Sequence, residues 1–177
     1  MNTNAIYFNQ LAKAIDSLSP FVLDKALVKI QSHYLNIQIQ QQIVRASDSK
    51  RAGVARLFTS GLVDIRGEQD LTPLMYVCAL YYVAHNNPAR RKALDAMAET
   101  LIIAGAAPYI EGARPIIRSV NTKGVPVYSR GKGKTLAEAF GHANLPPSLQ
   151  ARMAITNEAG YYDMIQIDRW NERQIAA

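Results

Sequence analysis

Capping residues and prolines divide this 177-residue chain into helix-length stretches, and that punctuation limits the fold more than any other feature. Ser19-Pro20 and Thr72-Pro73 each set a hydroxyl before a proline, the order of an N-cap and a first helical residue. Asn86-Asn87-Pro88 interrupts the chain again, and Pro146-Pro147 opens a further stretch. Gly61 and Gly105 stand where helices would stop.

Between these marks, apolar residues recur at helical spacing. Phe8, Leu11, Ile15 and Leu18 make one stripe, and Leu23, Ala26, Leu27, Ile30 and Tyr34 a second. Leu35 to Gln40 alternates as a strand would. Continued to Ala46, it keeps helical offsets at Leu35, Ile39, Ile43 and Ala46, and its glutamines favour helix. A short helix is predicted from Arg51 to Ser60, then a polar, turn-like stretch from Asp64 to Leu71. Leu74, Val77, Cys78 and Tyr81 line the helix that Thr72-Pro73 opens, and Leu94, Met97, Leu101 and Ile102 line one from Ala89 to Ala104. Lys134-Thr135 leads into a short helix through Phe140, and Pro146-Pro147 into one with Leu149 and Met153 inward. The tail from Tyr161 to Ala177 is apolar enough to dock, as helix or strand, with Trp170 pinning it.

The expected class is therefore mainly α. Hydrophobic residues at 49% and charged residues at 19% suit a globular domain and exclude both a disordered tail and a membrane bundle. One cysteine rules out a disulfide scaffold. No apolar run approaches the ~18 residues of a membrane span. Met1-Asn2-Thr3-Asn4 does not begin a signal peptide, so a cytoplasmic location without membrane partners is expected.

The charge is concentrated. Between Gly112 and Lys134 lie Arg114, Arg118, Lys123, Arg130, Lys132 and Lys134, with no Asp or Glu. The whole chain holds 20 basic and 14 acidic residues, so outside this segment the two signs balance. Such a segment creates a local positive potential that attracts phosphates or an acidic protein surface. Within it, Pro115 to Val120 and Val125 to Tyr128 are β-prone around Asn121-Thr122-Lys123-Gly124, which has turn chemistry. An extended hairpin or finger is expected, with Pro126 working against a regular central strand.

Two segments that each carry an apolar helix ended by Gly, Val54 to Ile65 and Met97 to Pro108, look alike, as do Asp70 to Ala79 and Gly133 to Phe140. Thr72-Pro73-Leu74 followed by Leu101-Ile102-Ile103-Ala104-Gly105-Ala106-Ala107 resembles the ankyrin-repeat family. The resemblance implies stacked helix pairs over 50–143, a helical N-terminal cap over 1–49, an insertion at 111–134 and a C-terminal cap over 144–177, all within one domain. Gly61 to Thr72 spans 11 residues, close to the family's loop. Thr72 to Gly105 spans 33 and Gly105 to Thr135 spans 30, both longer than the family's pattern, and the third start lacks proline. Members of that family mostly bind proteins through loop tips and the inner helix surface, and the basic insertion would project from that side.

Chemical motifs are sparse. Gly131-Lys132-Gly133-Lys134-Thr135 is similar to a phosphate-binding loop, but Tyr128 occupies the position of its first glycine. His33, His85 and His142 lack metal-ligand spacing, so no metal or cofactor is expected. His142 is read as structural and Cys78 as a buried small side chain rather than a nucleophile. Asp95, Glu99 and Glu138 read as solvated helix residues, and Gly-x-Ser-x-Gly is absent. The expectation is a non-enzymatic binding module, an adaptor or steric inhibitor. It would engage an acidic protein or nucleoprotein surface through Arg114, Arg118, Lys123, Tyr128, Arg130, Lys132 and Lys134. The alternative is nucleic-acid binding through the same cations, with Tyr109 and Tyr128 available to stack on unpaired bases.

Overall fold

Thr72 makes the most complete helix start among the described residues. Its hydroxyl accepts from the Met75 amide at 3.3 Å, the Met75 sulfur takes the Thr72 amide in return, and Pro73 occupies the first turn, where a missing N–H costs nothing. In the computed structural model, residues 3–42, 62–67, 70–109, 111–114, 116–118, 126–129 and 133–155 are described. They are mainly helical, in six α-helices: α1 (Thr3–Asp16), α2 (Pro20–Gln42), α3 (Pro73–Val83), α4 (Pro88–Ile103), α5 (Leu136–Phe140) and α6 (Pro147–Ile155). Two short strands, β1 (Ile116–Arg118) and β2 (Val127–Tyr128), pair antiparallel.

The punctuation works as local chemistry requires. The Ser19 carbonyl accepts from the Val22 and Leu23 amides as α2 begins at Pro20. The Asn87 side chain accepts from the Arg90 amide to open α4. That helix ends where Gly105 turns to φ +100°, a conformation that L side chains rarely adopt, and the Ala106 amide reaches back to the Leu101 carbonyl at 2.9 Å. Helix α2 runs without interruption through Leu35 to Gln42, so the ambiguous stretch is helical to the end of the described part.

Helix α3 is the centre of the core. The sequence stripe gives it one apolar face, but Pro73, Leu74, Met75, Val77, Cys78, Ala79, Leu80 and Tyr81 are all buried. Its sequence holds no charged residue, so it has no face that prefers water, and it packs against α1, α4 and α5. Leu11 and Ile15 of α1 and Leu94, Met97 and Leu101 of α4 close around it, Leu23 and Ile30 of α2 extend the same core against α1 and α4, and Leu136, Leu145 and Leu149 join it from the later segments. The stretch before α3 is less polar than expected: Val63, Ile65 and Leu71 are buried, while Asp70 is exposed. The expected helix at Arg51 to Ser60, the turn at Asn121 to Gly124 and the tail from Tyr161 lie outside the described residues.

Candidate basic interface

The two ends of the basic segment are brought together. Ala113 and Lys134 form an isolated antiparallel bridge: the Ala113 amide donates to the Lys134 carbonyl at 2.9 Å, and the Lys134 amide to the Ala113 carbonyl at 2.8 Å. The Gly112 amide also donates to Lys134, at 3.1 Å. A Cβ on Gly133 would lie 2.5 Å from the Gly112 Cα, so this crossing admits only glycine at 133 without a backbone shift. Gly112 itself holds φ +134°, and the space a side chain would need there is filled by the Arg66 guanidinium. Just past the crossing, Ile116 is opposite Tyr128 and Arg118 opposite Val127, with a shift in register between them.

The base of this excursion is braced from behind. Arg66 donates to the Glu111 carbonyl and to the Asp70 carbonyl at 3.0 Å, and pairs with the Asp70 carboxylate at 3.1 Å. Asp64 accepts from the Ala107 amide at 3.1 and 3.2 Å, which fixes the chain as it leaves α4. Burial raises the Asp64 pKa above the usual carboxylate range, against the opposing pull of the Ala107 amide and Arg66. On the far side, Thr135 caps α5 in a reciprocal box with Glu138: the Thr135 amide donates to the carboxylate at 2.9 Å and the Glu138 amide to the Thr135 hydroxyl at 3.4 Å. The Thr135 amide, with the Thr135 hydroxyl also donating to the carboxylate, holds the Glu138 carboxyl below its ordinary pKa.

Of the residues expected to make contact, Lys134 is exposed at the crossing and Arg114 half-buried beside it. Arg118 belongs to β1. Lys123, Arg130 and Lys132 lie outside the described residues. Tyr128 is half-buried and packs against the core, and burial pushes its hydroxyl pKa well up. Among the described residues that hydroxyl and the Arg114 Nε meet no hydrogen-bond partner. Tyr109, weighed as a stacking platform, instead spends its hydroxyl on the Met153 carbonyl at 3.2 Å. Tyr81 is a core residue as expected, with Arg91 stacked 4.1 Å over its ring.

Cys78 is fully buried, and desolvation pushes its thiol pKa far above the ordinary value. His33 shares a 2.8 Å hydrogen bond with the Tyr7 hydroxyl, while His85 and His142 are exposed. Among the described residues no cluster of three His, Cys, Asp or Glu is placed to hold a metal ion, and no helix is long and apolar enough to cross a membrane.

Sequence reasoning missed three residues. Asp64 and Arg66 were absorbed into a polar turn. Asp95 is not a solvated helix residue: its carboxylate accepts from the Ser148 amide at 2.9 Å and hydroxyl at 2.7 Å, and so caps the first turn of α6. No protein-family model, curated protein or solved structure matches this chain.

Proposed function

We propose that this chain is a non-enzymatic binding module that docks an acidic partner surface with its basic segment. The observation that carries the reading is the closed crossing at Gly112-Ala113 and Gly133-Lys134. Between the ends that it joins, the sequence holds six cations and no carboxylate, in a chain whose remaining charges balance. Long-range attraction steers encounter, and a fixed base limits the entropy lost on docking. In this reading the body is a divergent ankyrin-like stack. The capped start at Thr72, the hairpin of α3 and α4 and the αL glycine at 105 support it. Arg114, Arg118, Lys123, Arg130, Lys132 and Lys134 supply the charge, and Tyr128 positions β2 against the core.

The test is capture of partners from the native lysate, with and without nuclease, by wild type and by a variant carrying Arg118→Glu, Lys123→Glu and Arg130→Glu. The expected result is a protein retained after nuclease and lost with the variant, while the variant's melting temperature stays at the wild-type value. A protein captured equally by both forms overturns the reading. Nucleic acid recovered alone, and lost with nuclease, replaces it with phosphate binding.

A further inference from the structure

Arg66 stands outside the basic segment, 45 residues before a carbonyl that it grips. Its guanidinium joins two backbone carbonyls. One terminal nitrogen donates to the Asp70 carbonyl at 3.0 Å, and the other to the Glu111 carbonyl. The Asp70 carboxylate lies 3.1 Å from the first nitrogen and offsets the charge on the spot. Arg66 therefore adds little to the positive potential of the interface. What it supplies is geometry: a planar fork with fixed donor directions spans two acceptors, which the point charge of a lysine does not.

Asp70 is strained to suit this role. Its φ of +60° is left-handed, uncommon for any residue but glycine, and it turns both the carbonyl and the carboxylate of Asp70 to Arg66. Such strain persists where surrounding contacts over-determine it, and it clusters where position matters to function.

The far end of the fork meets the crossing. The guanidinium fills the space that a side chain at Gly112 would need, and a Cβ on Gly133 would lie 2.5 Å from the Gly112 Cα. Gly112 thus touches both Arg66 and Gly133 with no side chain between them. Its amide and that of Ala113 both donate to the Lys134 carbonyl, at 3.1 and 2.9 Å. Arg114 follows Ala113 directly, so a shift of Gly112 moves Arg114 relative to Lys134.

We propose that Arg66 is a positioning residue for the basic interface: seated by Asp70, its fork fixes the chain at Glu111 and Gly112 and so sets the spacing of Arg114 and Lys134. The role in docking rests on the binding reading above.

Two variants of the full chain separate geometry from charge. Arg66→Lys keeps the cation and loses the fork; Arg66→Met with Asp70→Asn removes the pair at unchanged net charge. Amide hydrogen exchange is followed by NMR at Ala113 and Lys134, which bond each other across the crossing, and at Tyr76 and Ala84 in and just after α3 as a measure of global stability. Binding of a poly-L-glutamate peptide is titrated beside it. In both variants the Ala113 and Lys134 amides should exchange at least about tenfold faster, with Tyr76 and Ala84 unchanged, and peptide affinity should fall several-fold. Unchanged exchange at Ala113 and Lys134 overturns the proposal. Equal acceleration at all four amides overturns it in favour of a general stabilising role, and wild-type affinity in Arg66→Lys in favour of charge alone. Failure of the wild-type chain to bind the peptide instead overturns the docking reading, and with it the role of Arg66 in docking, while the exchange rates still decide whether Arg66 holds the crossing.

Discussion

Asp95 shows how much one carboxylate can do away from its own helix. Its two bonds to Ser148 cap α6 across a gap of 53 residues. Removing the charged acceptor strands the Ser148 amide and leaves the Ser148 hydroxyl only the backbone carbonyl of residue 95, at 3.2 Å, so Asp95→Ala should lower the unfolding free energy by about 1.5–3 kcal/mol in urea titration. Asp95→Asn keeps an acceptor oxygen and should lose less. Asp64 works with the opposite sign. Its folded pKa is raised, so between the unfolded value near ~3.9 and that raised value the folded state holds more protons than the unfolded state. Stability from this group therefore falls as pH rises through that window and stays reduced above it. Asp64→Asn retains an acceptor for Ala107 without the buried charge, and should gain stability relative to wild type at pH 7. That advantage should shrink as pH falls through the same window and be gone once pH is below the unfolded value, as read by thermal melts across pH. Neither role is legible in the sequence, because partners 43 and 53 residues away are chosen by packing and not by spacing.

At the scale of elements, what was legible is what is local. Thr72-Pro73 and the glycine at 105 act within one turn of themselves, so their residue types predict their geometry. Parts of the two β-prone runs pair as well, Ile116 with Tyr128 and Arg118 with Val127. The crossing that closes the excursion was hidden, because Gly112 and Gly133 are 21 positions apart and a glycine in a loop ordinarily signals only a turn. Its importance is testable without changing any charge. Gly133→Ala drives a methyl into the Gly112 backbone, which should cost about 1–3 kcal/mol in stability and weaken partner affinity at unchanged net charge. Calorimetric melting beside a binding titration checks both halves. A variant that melts lower yet binds as wild type would separate the crossing from docking.

Among the described residues, the molecule is a helical body around a charge-free central helix, α3, and the ends of the basic segment meet at one crossing beside it. In the proposed reading the body contributes rigidity and the segment between Gly112 and Lys134 contributes charge. The most direct measurement is partner affinity for two variants of equal net charge. One reverses Arg118, Lys123 and Arg130 to Glu, and the other reverses Lys13, Lys29 and Lys92, which are exposed on α1, α2 and α4. If the excursion docks the partner, the first variant loses binding and the second keeps affinity close to wild type. Equal loss in both would show that overall charge, not this segment, drives association, and would contradict the account.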